Sequence, residues 1–244
     1  MSAIRALEEA SLAGLPALHT EHYDGWLRRQ ADGYSRRANS VAPLYPSQID
    51  VEEKIRYCES AHARASLPCA FKVTAASTPE GLDAALVNRG HQRDAETLVC
   101  TWKIAGALSR PLRVEMFDAP EDPWLETWSQ LSERPADDGI FPRLLAATPT
   151  AAVYVLIRHG DQGIGCARTT ISAGVVGLYD LLVSPDHRRQ GLATDLTLAR
   201  LWWARSLGVD RAFLQVMARN IAAQSLQTGL GFRETYRYWY RLKP

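Results

Sequence analysis

The pattern of apolar and polar positions predicts alternating strands and helices along the chain. In the second half, an unbroken apolar run at 151–157 predicts a strand. Two further strands are predicted at 163–171 and 175–183, and apolar residues then recur at helical spacing from Gly191 to Leu207. The last predicted elements are a strand, a helix and a strand at 213–217, 221–228 and 233–241. This order predicts an α/β protein with a mixed central sheet flanked by helices.

The first half shows the same order of elements. The segment Phe71-Lys72-Val73 matches Leu214-Gln215-Val216, 143 residues later. We interpret the two halves as copies of one α/β unit, with chance similarity of short patterns as the alternative. The predicted segments are 1–110, an acidic connection at 111–147, and 148–244. The elements predicted in the first half are a helix at 6–12, strands at 26–28 and 34–41 joined by a turn at 31–33, a helix at 50–65, a strand at 68–73, a helix at 79–88 and a strand at 98–104.

Composition narrows the class of protein. Of the 244 residues, 46% are hydrophobic and 23% are charged, which excludes a disordered or collagen-like chain. The longest run without a charged residue, 144–157, is too short to span a bilayer. Glu8 and Glu9 stand where a secretory signal would carry its apolar core, and the four cysteines form no CxxC pair. We therefore expect a reduced, cytoplasmic protein without a membrane segment or a metal site. The net charge of +1 gives no reason to expect nucleic-acid binding.

Residues 178–194 carry the clearest chemical signal. An apolar strand ends at Val183, a short loop follows, and the segment Arg188-Arg189-Gln190-Gly191-Leu192-Ala193 opens a helix. Free backbone N–H groups at a helix start attract anions, the two arginines add positive charge, and Gly191 permits close approach. We expect this loop to bind a pyrophosphate.

Two linked motifs carry a resemblance to a known family. The spacing Arg188-x-x-Gly191-x-Ala193, after a strand that ends V-x-P, resembles the acetyl-CoA pyrophosphate loop of the GCN5-related N-acetyltransferases (GNAT). Downstream, Asn220-x-x-Ala223-x-x-Leu226-x-x-x-x-Gly231-Phe232 is similar to the next motif of that family. The resemblance therefore covers the C-terminal part of the chain.

The N-terminal half shows a more distant likeness. The segments Asp24-Gly25-Trp26 and 37–41 resemble the degenerate amino-terminal half of tandem bacterial GNAT proteins. No Arg-x-x-Gly-x-Gly loop follows Val41. We therefore expect one coenzyme site, in residues 148–244.

The resemblance implies that acetyl-CoA is the co-substrate. It would lie where the strand ending at Val183 parts from the strand at 213–217, and its pantetheine arm would hydrogen-bond to the backbone of 181–183 like an added strand. The residues expected to bind it are Leu181, Leu182, Val183, Arg188, Arg189, Gln190, Gly191, Leu192, Ala193, Thr194 and Asn220.

Direct acetyl transfer needs a neutral amine, a hydrogen-bond donor for the oxyanion and an acid for the leaving thiolate. We expect a backbone N–H near Leu182 to be the oxyanion donor. Asp180 is a carboxylate within an apolar strand, and it is either the catalytic base or one half of a salt bridge.

The residue that commonly protonates the thiolate in this family is replaced in this chain. Members of the family commonly carry a tyrosine after the position of Leu226, and this chain has Gln227 there. An amide cannot act as an acid. Tyr236 is our first choice to replace that tyrosine, ahead of the tyrosines at 238 and 240. Water as the proton source and plain packing of an aromatic strand are the alternatives.

An acidic segment indicates the acceptor. Residues 114–140 carry eight Asp and Glu residues against a single arginine. Carboxylates near tryptophans suit a cationic amine, and a solvated acidic helix with core tryptophans is the alternative. The expected substrate-binding residues are Asp118, Glu121, Asp122, Trp124 and Tyr179.

Together these features predict an acetyl-CoA-dependent N-acetyltransferase that acts on a primary amine of a small cationic molecule. An acidic wall suits an amino sugar or aminoglycoside antibiotic, and the arrangement resembles resistance enzymes of the kasugamycin 2′-N-acetyltransferase type. One alternative is acetylation of a protein or peptide amine. Another is a non-catalytic acyl-CoA-binding sensor, which Gln227 keeps open. The oligomeric state, a homodimer included, is left open.

Overall fold

A computed structural model describes residues 3–132 and 139–243. Helices and strands alternate along these residues, which confirms the predicted α/β class. The helices are α1 (Ala3–Gly14), α2 (Val51–Arg64), α3 (Leu82–Asn88), α4 (Asp122–Leu131), α5 (Ile140–Ala146), α6 (Leu192–Ser206) and α7 (Ile221–Leu230). The strands are β1 (His19–Tyr23), β2 (Trp26–Gln30), β3 (Val41–Pro43), β4 (Ala70–Val73), β5 (Gln92–Lys103), β6 (Glu115–Phe117), β7 (Ala152–His159), β8 (Gln162–Ser172), β9 (Val175–Val183), β10 (Arg211–Met217) and β11 (Arg233–Leu242).

The strands of the described residues form one mixed sheet in the order β1-β2-β3-β4-β11-β5-β10-β9-β8-β7-β6. Two pairs are parallel, β3 with β4 and β9 with β10. The other neighbours are antiparallel. Strand β8 is buried along most of its length, because α1 and α4 as well as α6 pack against it.

The two halves of the chain share this sheet by exchanging strands. Strand β5, from the first half, pairs with β10 on one side and β11 on the other. Strand β11, from the second half, pairs with β4 of the first. Each half thus places its last strand beside the parallel pair of the other half. This arrangement agrees with a duplicated unit. The duplication and the boundaries at 110 and 147 stay predictions.

The N-terminal hairpin is the main difference from the sequence-based expectation. The predicted strand at 34–41 is wrong. The predicted turn at 31–33 is present but leads from β2 into further turns, and the tight hairpin instead joins β1 to β2 through Asp24 and Gly25. Both of these residues have positive φ, +42° and +82°, as a two-residue Asp-Gly hairpin turn requires. Residues 31–40 form turns instead, held by Asn39, whose side-chain oxygen accepts from the backbone N–H of Ala31 at 2.7 Å.

Local signals fix the ends of the helices near the site. Helix α6 begins after Gly191, whose φ of +78° favours glycine, and no side chain caps it. Helix α7 begins at Asn220, whose Oδ1 accepts from the N–H of Ala223 at 3.1 Å, and ends at Gly231 with φ +114°. In the described residues, no helix combines the length and apolar character needed to cross a bilayer.

Candidate active site

A gap between two parallel strands forms the centre of the candidate site. Strands β9 and β10 pair only from Val176 to Leu178, opposite residues 212–214. Beyond Leu178, β9 continues to Val183 while β10 turns away and stays paired with β5 up to Met217. The β10-facing backbone edge of residues 179–183 is therefore free to bind an extended ligand as an added strand.

A β-bulge lies beside this gap. Along β8, Cys166 faces Leu182 and Arg168 faces Tyr179, so three steps on β9 oppose two on β8. Asp180 is at the bulge and has a φ of +50°, a conformation that few residues other than glycine adopt. A bulge leaves backbone groups of the longer strand outside the ladder, which makes N–H groups near residue 181 available to a ligand.

Asp180 forms an ion pair with a buried arginine. Its Oδ2 accepts from Nε of Arg168 at 2.6 Å, and the Arg168 side chain is 1% exposed. Arg168 also donates through Nη1 to the carbonyl oxygen of Gly14 at 2.7 Å, which ties α1 to the bulge. Of the two readings left open for Asp180, the salt bridge is present. Its role as a base stays a prediction.

A second buried arginine connects the bulge to α6. Arg200 is 1% exposed and donates through Nη1 to the carbonyl oxygens of Arg168 and Tyr179, both at 3.2 Å. Burial lowers the pKa of Arg200 to about 9, and the nearby Asp180 carboxylate only partly offsets this. The Arg168 and Arg200 guanidinium groups exceed the single Asp180 carboxylate in charge, and a net positive charge beside the bulge favours negative charge that develops there.

The loop before α6 has the expected features of an anion site. Arg189 and Gly191 both have positive φ, +64° and +78°, so the chain curls immediately before the helix begins. With no side-chain cap on α6, the first N–H groups of the helix remain available to an anion. Within the described residues, Arg188 and Arg189 have no ion-pair partner.

A cavity of about 930 Å³ runs from this loop to the gap at β9. Nine of the eleven residues predicted to bind the coenzyme line it. They are Leu181, Leu182, Val183, Arg188, Arg189, Gly191, Leu192, Ala193 and Thr194. The structure therefore brings together the strand end and the helix start that the sequence singled out.

Two predicted coenzyme residues lie outside this lining. Gln190 is exposed, and its carbonyl oxygen accepts from Nη2 of Arg113 at 3.2 Å. Asn220 is exposed and caps α7 through Ala223. The structure therefore gives Asn220 a helix-capping position.

The predicted acceptor residues do not gather at the cavity. Asp118, Glu121 and Asp122 are exposed near the start of α4, and only the end of that helix, at Leu131, reaches the cavity. Trp124 is wholly buried and donates through Nε1 to the carbonyl oxygen of Ala167 at 3.0 Å. Their positions agree with the alternative interpretation, an acidic helix surface over core tryptophans. Glu133, Asp137 and Asp138 of the same segment lie outside the described residues.

The two predicted tyrosines are core residues. Tyr179 packs between Gly14 and Gly177, where a β-carbon would stand 2.1 and 2.3 Å from its hydroxyl. Burial raises the pKa of Tyr179 to about 12. Tyr236 is 7% exposed and donates its hydroxyl to Glu8 at 2.6 Å, and burial together with the Glu8 carboxylate raises its pKa well above the usual value. Neither side chain lines the cavity, so the structure does not bring Tyr236 to the place where a thiolate would leave.

Helix α7 presents a different polar residue to the cavity. Ser225 and Leu226 line it, whereas Gln227 lines a separate cavity of about 160 Å³ with Cys100 and other residues. Position 227 is thus turned away from the main cavity. Ser225 was not predicted from the sequence, although the helical phase of α7 is the signal that could have identified it.

Several other lining residues had no assigned role. His187 lines the cavity beside the loop. Leu131 and Ser132 come from the end of α4 and the residue after it. The connection between the halves therefore closes one side of the cavity. No group of His, Cys, Asp and Glu side chains within the described residues is arranged to hold a metal ion.

The fold is that of the GCN5-related N-acetyltransferases. The structure of a GCN5-related N-acetyltransferase from Kribbella flavida matches with a TM-score of 0.72 at 18% sequence identity. The match covers 100% of this chain and 96% of that one. This similarity confirms the predicted GNAT fold.

The chain belongs to the family described as "Probable histone acetyltransferase Rv0428c C-terminal", whose model matches residues 1–241. It is 27% identical over 252 residues to "Uncharacterized N-acetyltransferase YobR" of Bacillus subtilis (strain 168), which covers 100% of both proteins. It is also 27% identical over 239 residues to "Probable histone acetyltransferase Rv0428c" of Mycobacterium tuberculosis, over 95% of this chain and 71% of that protein. Family membership confirms that the chain is an acyltransferase of the GNAT type, and the sensor alternative is set aside.

Proposed function

We propose that this chain transfers the acetyl group of acetyl-CoA to a primary amine bound in the cavity. The observation that carries the proposal is the continuity of the cavity from the uncapped start of α6 to the free edge of β9. A ligand with phosphates at one end and a long amide-bearing arm matches that shape, because the first needs N–H donors and cations and the second needs an open strand edge.

The donor set at each end fits the coenzyme. At the loop, Arg188 and Arg189 line the cavity without competing partners among the described residues. At the strand, Leu181 and Leu182 supply an apolar wall and an unpaired backbone edge. When bound, acetyl-CoA would supply an activated thioester.

The transfer itself is a direct displacement. The amine nitrogen bonds to the thioester carbon, the carbon–sulfur bond breaks, the nitrogen loses a proton and the thiolate gains one. Backbone N–H groups at the bulge, near Leu181 and Leu182, are the proposed donors to the thioester oxygen, supported by the buried charges of Arg168 and Arg200.

The proton steps are assigned as follows. Asp180 is proposed to hold the bulge through Arg168, and its use as the base that takes the amine proton is the alternative. Ser225 lines the cavity on α7, and we propose its hydroxyl, alone or through water, as the hydrogen-bond partner of the thiolate. Tyr236 is not used, because its hydroxyl proton is already donated to Glu8.

A small cationic amine is the proposed acceptor. In the described residues, no Asp or Glu side chain lines the cavity, so the lining itself adds no support for an acidic wall. A lysine side chain of a protein or peptide is the second candidate. The description of the matched family, which names a histone acetyltransferase, favours it.

A thiol-release assay tests the proposal. Purified protein is mixed with acetyl-CoA and three sets of amines: amino-sugar antibiotics, polyamines and lysine peptides of histone-tail sequence. Release of free thiol with any set, together with an acetylated product by mass spectrometry, supports acetyl transfer and ranks the acceptors. Gly191→Trp serves as the matched inactive control, because a bulky side chain at the loop blocks the anion site. Absence of both coenzyme binding and thiol release with every set would contradict the proposal.

A further inference from the structure

A third arginine reaches the phosphate loop from outside the two motifs. Arg113 lies in the connection between the halves. Its Nη2 donates to the carbonyl oxygen of Gln190 at 3.2 Å and stands 3.5 Å from where a β-carbon on Gly191 would lie. Its Nε forms an ion pair with Asp195 in the first turn of α6. The Arg113 side chain is 48% exposed, so solvent and a ligand can both reach it.

The segment that carries Arg113 is fixed along α6. Arg110 stacks its guanidinium over the ring of Trp202, 5.6 Å from the ring centre. Trp202 lies seven residues beyond Asp195, about 10 Å further along the helix. The two arginines therefore anchor the segment at separate points, and only Arg113 is at the loop.

Arg113 is not part of the cavity lining, but it contacts Gln190, which lies between the lining residues Arg189 and Gly191. Arg188 and Arg189 line the cavity beside the uncapped helix start, which suits the pyrophosphate. Coenzyme A carries one more phosphate, on its ribose, beyond the pyrophosphate on the side away from the pantetheine arm. A guanidinium that keeps unused N–H donors next to the loop suits that group.

We propose that Arg113 binds the ribose 3′-phosphate of the coenzyme and makes the enzyme select acetyl-CoA over acetyl-dephospho-CoA. This inference rests on the proposed use of acetyl-CoA. In this proposal the phosphate competes with Asp195 for the guanidinium.

The test measures the affinity, by calorimetry, and the KM of acetyl-CoA and acetyl-dephospho-CoA for wild-type protein and for Arg113→Gln. Wild-type protein is expected to prefer acetyl-CoA. Arg113→Gln is expected to weaken acetyl-CoA binding by about tenfold, because it removes one charge-assisted hydrogen bond at a half-exposed position. Binding of acetyl-dephospho-CoA is expected to stay unchanged. Two control variants come from the same region. Arg110→Gln leaves the preference intact, and Asp195→Asn keeps or strengthens it, because the arginine is then free for the phosphate.

Three results would overturn the inference. One is an equal loss of both coenzymes in Arg113→Gln, which would mean that the arginine only holds the loop. Another is a loss of preference in Asp195→Asn matching that of Arg113→Gln. The third is wild-type protein that binds both coenzymes equally. A wild-type protein that binds neither would instead contradict the proposed function, and the inference with it.

Discussion

Replacing Asp180 with asparagine tests how the bulge of β9 is held. Asparagine keeps the shape of the side chain and one acceptor oxygen, but it removes the negative charge. The partner, Arg168, is 1% exposed and shares its remaining donors with a backbone carbonyl. Asp180→Asn would therefore leave a buried guanidinium without its carboxylate.

The size of the effect follows from burial. Removing one partner of a buried ion pair costs about 3–5 kcal/mol. The Asp180 side chain is 16% exposed and asparagine can still accept a hydrogen bond, so we expect the lower end, about 3 kcal/mol. In a chain of this size each kcal/mol lowers Tm by about 2–4 °C, which predicts a fall of about 6–12 °C.

Thermal and urea unfolding measure this loss, with Asp161→Asn as the control because Asp161 is an exposed residue of the β7–β8 turn. Turnover, measured well below Tm, tests the alternative role of Asp180 as the catalytic base. Loss of a general base lowers the rate by about 10²–10⁴-fold. A Tm for Asp180→Asn within about 2 °C of wild type would correspond to a loss of less than about 1 kcal/mol in the free energy of unfolding. That result would refute a stabilising role of the ion pair.

Three further predictions concern the loop, α7 and pH. Arg188→Ala weakens acetyl-CoA binding about tenfold by calorimetry, because one cation of the anion site is lost, and unchanged affinity would count against that site. Gln227→Tyr leaves kcat unchanged in the thiol-release assay, because position 227 faces the second cavity; a clear rise in kcat would show that it reaches the reaction. Burial alone raises the pKa of Glu59, but hydrogen bonds lower it to about 2, and they come from Lys243, Arg89 and His91. Since this folded-state pKa is depressed, the stabilisation is complete above about pH 5 and is lost as pH falls toward 2. Glu59→Gln should remove that part of the acid dependence in urea unfolding, and parallel pH curves for the two proteins would contradict the assignment.

The sequence was most informative where chemistry and local structure coincide. Residues 178–194 combine an apolar strand, a short loop and a glycine at the helix start, so β9 was predicted with its observed bounds and α6 to within one residue at each end. Short-range preferences determine these features, and they need no knowledge of distant contacts.

Long-range packing determined what the sequence could not predict. The direction in which the Tyr236 side chain points depends on the pairing of β11 with β5 of the other half and on the hydrogen bond to Glu8 of α1. Strand β1 was missed because it is polar and lies at the edge of the sheet, where hydrophobic alternation is absent. Arg113 meets the loop only because the connection lies along α6.

The position of the acidic residues of the connection could not be predicted from composition. Its charge was visible in the sequence, but charge alone does not say which way a helix faces. In the structure Trp124 and Trp128 supply the buried face of α4, and the carboxylates at its start are exposed. The cavity is reached by the other end of the helix, at Leu131.

A crystal structure of the chain with acetyl-CoA would show whether the loop before α6 binds the coenzyme. We expect the pyrophosphate oxygens within hydrogen-bond distance of the backbone N–H groups at 189–193, with the pantetheine arm paired to the edge of β9. A nucleotide bound at another surface, with the turn before α6 empty, would contradict it.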